Sequence, residues 1–122
     1  MAAVRDELSR ATALHNAEAY DEALVAARGA LAQAEELHST ALVAECRFRV
    51  GTALEETGAC ADAERALEDA YFEAVEGGAS DLAVDSAQAL AFLVAYRFSR
   101  FADAMRWWRQ SDRARGRRAS GP

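Results

Sequence analysis

The sequence repeats itself with a period of about 40 residues, and this recurrence constrains the fold more than any other feature. A bulky or apolar residue, a pair of positions that includes an acid, and an alanine occur together three times: Tyr20-Asp21-Glu22-Ala23, Cys60-Ala61-Asp62-Ala63 and Phe101-Ala102-Asp103-Ala104. The spacing between the three segments is nearly constant. Upstream, small residues recur at Ala11, Gly51 and Ala91. A regular recurrence of this kind predicts similar supersecondary units that stack on their neighbours.

The composition indicates that each repeated unit is helical. About one residue in four is alanine, which has the highest helix propensity, and the single proline is Pro122. Apolar residues recur with the helical period in six segments. These segments predict helices over about residues 3–16, 20–37, 41–57, 60–76, 81–98 and 101–115. The predicted fold is therefore all-α, with three antiparallel helix hairpins.

Several residues are expected to mark the ends of these helices. Ser39 and Ser80 precede the third and fifth helices and are expected N-caps, because a serine hydroxyl can accept a bond from a free backbone N–H. Gly58 and the Gly77-Gly78 pair suit the left-handed conformation that ends a helix. Gly51 lies inside the third helix, where a small residue lets two helices approach closely. We therefore expect Gly51 at a close helix–helix contact.

The fifth predicted helix is apolar on more than one face. Helices of this kind are buried on most sides. We expect this helix to lie between the fourth and the sixth. The six helices are expected to form one domain over residues 1–116, with repeats over about 3–38, 39–78 and 79–115. Residues 117–122 are rich in Gly, Arg and Ser, and we expect a flexible basic tail there.

The rest of the composition favours a cytoplasmic bacterial protein. Asp6 and Glu7 lie where a signal peptide needs an apolar run, and the longest apolar stretch is far too short to cross a bilayer. Cys46 and Cys60 fall inside helical patterns and are expected to be small buried hydrophobic residues. Lysine and isoleucine are absent, which is typical of a GC-rich bacterial genome.

These repeats resemble those of tetratricopeptide-repeat (TPR) proteins. The resemblance is carried by Ala19-Tyr20-Asp21-Glu22-Ala23-Leu24, by the segment 54–63 with its Gly58, and by Phe101 to Met105. The usual TPR period is about 34 residues, so this chain is similar to the long-period variety found in bacterial Ser/Thr kinases and ATP-dependent transcription regulators. HEAT-type repeats share the longer period, but the register of small and aromatic residues fits them less well.

The resemblance implies a right-handed, TPR-like α-solenoid that acts as a protein-binding scaffold. In such a fold the first helix of each hairpin lines a concave groove that holds a peptide or protein. The groove residues implied here are Arg5, Thr12, His15, Asn16, Glu45, Phe48, Thr52, Glu55, Glu56, Asp85, Gln88 and Phe92. The family's clamp for C-terminal carboxylates is not carried over, because this chain has no lysine and has acidic residues in mid-groove.

The acidic groove residues predict the chemistry of the partner. Glu45, Glu55, Glu56 and Asp85 are expected to converge on the groove, so a basic or amphipathic segment should be preferred. No phosphate-binding loop, H-E-x-x-H motif or G-x-S-x-G motif is present in the sequence. His15 and His38 have no second histidine or cysteine at ligand spacing. We therefore expect no enzymatic activity, no cofactor and no metal site.

The C-terminal helix suggests an alternative function. Residues 1–96 contain six arginines and eighteen acids, a net charge of −12, whereas residues 97–122 contain eight arginines and two acids, a net charge of +6. Arg106, Trp107, Arg109 and Arg113 form a candidate docking surface for the acidic part of a second copy, which would make a homodimer. Met105 and Trp108 are expected to point inward, with Trp107 about 100° away. The acidic body argues against nucleic-acid binding.

Overall fold

The computed structural model describes residues 2–120 of the chain, with side chains over residues 2–116, and this part forms six α-helices without a β-strand. The protein is therefore all-α, as predicted. The helices are α1 (Ala2–Asn16), α2 (Tyr20–Glu36), α3 (Thr40–Glu56), α4 (Cys60–Glu76), α5 (Ser80–Tyr96) and α6 (Phe101–Ser120). The first five lie within two residues of their predicted limits.

The sixth helix is longer than the sequence predicted. Helix α6 continues through Ser120, five residues beyond its expected end. The backbone of residues 117–120 is thus helical, whereas the rest of the expected basic tail, residues 121–122, lies outside the described part of the chain.

The turns explain the period of the repeat. Helices α2 to α5 are equal in length and are joined by turns of three residues, so they begin at the evenly spaced Tyr20, Thr40, Cys60 and Ser80. The middle residue of the first four turns has a positive φ, at Glu18, His38, Gly58 and Gly78. In three of them the next backbone N–H donates to a carbonyl five residues earlier, as Ala59 does to Leu54 (2.9 Å). Two helices, each with its turn, make one repeat.

Of the two predicted N-caps, one is confirmed and one is wrong. The Ser39 hydroxyl accepts a hydrogen bond from the backbone N–H of Leu42 at 3.3 Å. The N-cap of α5 is Ala79, and Ser80 is the first helical residue. The reason is that the three-residue turn ends at Ala79, whose N–H donates to the carbonyl of Ala74, so the helix begins at Ser80 itself.

Close packing of small and large residues holds the helices together. Gly51 of α3 is buried, and a Cβ atom there would lie 2.7 Å from Cγ of Leu67 in α4 and 3.3 Å from the Leu67 backbone nitrogen. Leu67 is itself fully buried and has no room to move away. The predicted close contact at Gly51 is confirmed.

Helix α5 is buried on several faces, as predicted. It contacts α4 on one side and α6 on the other, and it also touches α3. Its buried residues are Ala83, Val84, Ser86, Ala87, Leu90, Ala91, Leu93 and Val94.

One residue of helix α6 is oriented differently from the expectation. Among the side chains of α6 that the structure describes, Ala104, Ser111 and Ala114 are buried, and Trp108 is half-buried. The inward orientation expected for Met105 is wrong, since its side chain is 53% exposed. The corresponding residue in α2, Leu24, is partly covered by the core that later helices complete. Met105 lies about 100° around the helix from the buried Ala104, so its side chain leaves the face that α6 packs against the core.

Candidate functional site on helices α1, α3 and α5

The odd-numbered helices lie beside one another. Helix α1 contacts α3, and α3 contacts α5. By contrast, within residues 2–120 no Cα atom of α4 lies within 8 Å of one in α2 or α6. The exposed residues of α1, α3 and α5 therefore form one continuous surface, called here the odd-helix face.

A first cleft, of about 360 Å³, lies between α1 and α3. Nη1 of Arg5 donates to Oε2 of Glu45 across it at 2.6 Å. Both side chains are about half exposed, so this ion pair contributes roughly 0–1 kcal/mol to stability. The remaining lining residues are Leu8, Ser9, Thr12, Ala13, Asn16 and Arg49.

A second cleft, of about 610 Å³, lies between the N-terminal halves of α3 and α5. The charged residues that line it are Glu45, Asp81, Asp85, Arg5 and Arg49. The guanidinium carbon of Arg49 lies 5.5 Å from the centre of the Phe48 ring. This end of the odd-helix face therefore combines three carboxylates with two guanidinium groups.

A third cleft, of about 510 Å³, lies between the C-terminal halves of α3 and α5 and is lined by Glu55, Ala89, Phe92, Tyr96 and Arg97. We call it the aromatic cleft. The rings of Phe92 and Tyr96 are stacked, with centres 5.5 Å apart and planes at 15°. Phe92 is 49% exposed and Tyr96 is 76% exposed.

The surroundings of Glu55 in the aromatic cleft disfavour the ionised form of its carboxylate. Glu55 is half-buried, and this burial, with the neighbouring charge of Glu56, raises its pKa above the ordinary value of 4.5. The charge of Arg97 acts in the opposite direction but does not outweigh these two effects. A positive charge brought into the cleft would therefore relieve an unfavourable state of Glu55.

The acidic residues do not converge on one site. Glu45 and Asp85 line the second cleft, whereas Glu55 lines the aromatic cleft. Glu45 and Glu55 are ten residues apart on α3, which corresponds to about 15 Å along a helix. Glu56 is exposed and lines none of the three clefts. At one end of the odd-helix face several carboxylates and guanidinium groups meet, and at the other Glu55 and Arg97 adjoin stacked aromatic rings.

The other residues chosen from the sequence have local roles. The His15 ring packs edge-on against Tyr20, with centres 5.1 Å apart. The Thr52 hydroxyl donates to the carbonyl of Arg49 at 3.1 Å. Gln88 is half-buried and lines none of the three clefts. Unlike Phe92 and Glu55, these three side chains line none of the three clefts.

Sequence reasoning missed part of the aromatic cleft. Tyr96 and Arg97 line it but were not selected from the sequence. A signal for Tyr96 was present, because it lies four residues after Phe92 and so falls on the same helical face. It also lies one full repeat after Glu56, which the sequence pattern had already indicated.

Comparisons of the chain with protein-family models, curated proteins and solved structures found no match.

Within the described residues, no group of three or more His, Cys, Asp or Glu side chains is placed to hold a metal ion. Cys46 is fully buried, as predicted, and burial together with the Glu45 charge raises the pKa of its thiol to about 11. The thiol is therefore protonated at neutral pH and is a poor nucleophile. None of the helices in this part of the chain is both long and apolar enough to span a membrane.

The four residues of the second candidate surface do not share one face of α6. Arg106, Arg109 and Arg113 are exposed and lie opposite the buried Ala104 and Ser111 in a helical projection. We call these three residues the arginine stripe. Trp107 is half-buried and reaches α4, where its ring meets the rings of Tyr71 (centres 5.4 Å apart) and Phe72 (6.4 Å).

Proposed function

We propose that this protein is a non-catalytic interaction module, which binds a basic or amphipathic segment of another protein along the odd-helix face. The observation that carries this proposal is the aromatic cleft. Phe92 and Tyr96 present exposed stacked rings beside the half-buried carboxylate of Glu55. Exposed aromatic residues beside charge are typical of protein-binding surfaces.

The proposed architecture is a short TPR-like solenoid of three antiparallel hairpins with a right-handed superhelical trend. It is supported by the regular lengths of the helices and turns. It is also supported by the contacts of α3 with α1 and α5, which have no counterpart between the even-numbered helices within residues 2–120. Contact between odd-numbered helices, with even-numbered helices set further apart, is the arrangement expected when a stack of hairpins curves. In such a stack the odd-helix face is the concave side. A scaffold role in the cytoplasm of a bacterium is part of the same proposal.

The experiment that tests the proposal is a titration of the ¹⁵N-labelled protein with three designed peptides. One is amphipathic and basic, one has the same apolar pattern with acids in place of bases, and one is basic without apolar residues. We expect the first to bind most tightly and to shift resonances of α3 and α5. Its affinity should fall as salt rises, because exposed charges are screened over about 8–10 Å.

Two surface variants serve as a matched pair in this titration. Tyr96 on α5 is 76% exposed, and Val25 on α2 is 73% exposed. Tyr96→Ala should weaken binding of the amphipathic basic peptide several-fold, whereas Val25→Ala should leave it unchanged. Tightest binding of the acidic peptide, or an equal effect of both variants, would refute the proposal.

A second candidate function is self-association through α6. Phe101 and Met105 are 67% and 53% exposed, and the arginine stripe lies beside them on the outer side of the helix. Such a surface suits an acidic, partly apolar partner, and residues 1–96 of a second copy carry a net charge of −12. The structure favours Phe101 and Met105 over Trp107 as apolar anchors, since Trp107 already packs on α4.

Sedimentation equilibrium separates the two functions. Self-association predicts a mass that rises with concentration at low salt and a clear reduction for Met105→Glu. The exposed Val25→Glu variant is the control and should behave like the original chain. A monomer at every concentration would exclude self-association and leave the peptide-binding proposal in place.

A further inference from the structure

The aromatic cleft combines two features that each attract an organic cation. The faces of aromatic rings are electron-rich and bind ammonium or guanidinium groups within about 6 Å. Phe92 and Tyr96 provide two such rings in one stack. Glu55, on the neighbouring helix, provides a carboxylate in the same cleft, and Glu56 adds negative charge next to it.

The chain itself does not neutralise this carboxylate by a close ion pair. Over the side chains that the structure describes, no arginine nitrogen lies within 4.0 Å of the Glu55 carboxylate oxygens. Glu45 at the other end of the same helix differs, because Arg5 donates to it at 2.6 Å. Glu45 and Glu55 of α3 are thus in unlike states, one paired within the protein and one available to a ligand.

We propose that the aromatic cleft is a subsite for one arginine side chain of a partner segment. The guanidinium would pair with Glu55, and its apolar stem would lie against the stacked rings of Phe92 and Tyr96. A guanidinium suits this cleft better than an ammonium, because it is planar and can stack on a ring while donating to a carboxylate. This inference rests on the proposed function and names the chemical group that the odd-helix face selects.

Arg97 gives the subsite a competitor within the chain. Its exposed side chain lines the cleft and lowers the pKa of Glu55 without forming a close pair. A bound guanidinium would have to share the carboxylate with this charge. Arg97→Gln should therefore strengthen arginine binding, by about two- to threefold for an exposed charge in salt.

The test uses two small probes that differ only in charge, N-acetyl-arginine amide and its neutral isostere N-acetyl-citrulline amide. Binding is followed by NMR through the ring resonances of Phe92 and Tyr96. We expect saturable shifts with the arginine probe in the millimolar range and at least about fivefold weaker binding of the citrulline probe. Equal binding of the two probes, or no binding of either, would overturn the subsite.

Variants identify the groups responsible. Glu55→Gln should remove the preference for arginine over citrulline, while Glu36→Gln, an exposed acid on α2 outside the cleft, should keep it. Tyr96→Ala should weaken both probes, because the ring contacts the shared stem. If the Glu55→Gln variant still binds the arginine probe more tightly than the citrulline probe, the guanidinium does not pair with Glu55. Circular dichroism checks that each variant is folded, and Arg97→Gln gives an independent gain of affinity if one of the others is not.

The tests distinguish a failure of the arginine subsite from a failure of the proposed peptide-binding function. If amphipathic basic peptides bind the odd-helix face without distinguishing arginine from citrulline, the interaction module stands and the subsite fails. If the arginine probe binds at Glu55 but no peptide does, the subsite stands and the peptide-binding function fails.

Discussion

The two ends of the helix series are built differently. At the N-terminal end, Asp6 and Arg10 of α1 are exposed. The residues one repeat later, Cys46 and Val50 of α3, are buried. Helix α1 thus carries exposed charges at positions where α3 carries core residues.

At the C-terminal end, large apolar side chains are exposed instead. Phe101 and Met105 are mostly exposed, although the residues one repeat earlier, Cys60 and Glu64 of α4, are half-buried. Large apolar side chains therefore occupy positions that an inner helix partly covers. The contrast indicates that one end of the protein is adapted to solvent, whereas the other resembles a contact surface.

A substitution in the middle of the protein should have the largest effect on the free energy of unfolding. It provides the reference for substitutions at either end. Gly51→Leu would place a side chain where even a Cβ atom lies 2.7 Å from Leu67. We expect a loss of about 1–3 kcal/mol or more in the free energy of unfolding, measured by urea denaturation. Thr57→Leu, at an exposed position of the following turn, should change it by about 0.5 kcal/mol or less. Equal losses at both positions would contradict the packing described for α3 and α4.

The next largest effect is the difference in stability lost by substitutions on two faces of the C-terminal helix, α6. Trp107 packs edge-on against Tyr71 and Phe72 of α4, and Tyr71 also donates to Oε1 of Gln110 at 3.1 Å. Since Trp107 is half-buried, Trp107→Ala should cost about 2 kcal/mol, below the range for a fully buried tryptophan. Met105→Ala should cost about 0.5 kcal/mol or less by the same urea measurement. If Met105 proved the more costly site, α6 would be rotated from the orientation described.

A smaller effect concerns the turns. His38, in the N-terminal half, has a φ of 54°, whereas glycine takes the equivalent place at Gly58 with a φ of 91°. A Cβ atom at Gly58 would meet nothing within 4 Å, so only the backbone conformation opposes a side chain there. Gly58→Ala should destabilise the protein by about 1 kcal/mol, and His38→Gly should stabilise it by about 0.5–1 kcal/mol. Thermal melts that move both variants in the same direction would contradict this account.

The smallest expected effect is on the pH dependence of stability, and it concerns Glu55 at the C-terminal end of α3. Because the pKa of Glu55 is raised in the folded protein, its contribution to stability is complete below the ordinary value of 4.5 and is lost as pH rises through the raised value. Glu55→Gln cannot ionise, so its free energy of unfolding should exceed that of the original chain at pH 7 but match it near pH 4. A variant that is less stable at pH 7 would show that the ionised carboxylate is favourable where it lies.

Much of the local structure could be predicted from the sequence. The six helices, the left-handed residues Gly58 and Gly78, and the close contact at Gly51 depend on helix propensity, on residues without a Cβ atom and on a repeated spacing. The helices and the left-handed glycines are properties of short segments, whereas the contact of Gly51 with Leu67 could be predicted because the repeat indicates packing between successive helices. Phe92 and Glu55 of the aromatic cleft were indicated by the resemblance to TPR proteins, which implies that the first helix of each hairpin lines a groove.

Which faces of the helices meet, and which acids share a cleft, was decided by tertiary structure. Glu45 and Glu55 have the same chemistry in the sequence, but Arg5 of another helix pairs with one of them and stacked rings adjoin the other. Met105 matches the partly buried Leu24 and Glu64 in the repeat, but it is 53% exposed because α6 buries its Ala104 and Ser111 face instead. A repeat fixes where a side chain lies on its own helix, whereas burial, charge pairing and pKa depend on neighbours that are distant in sequence.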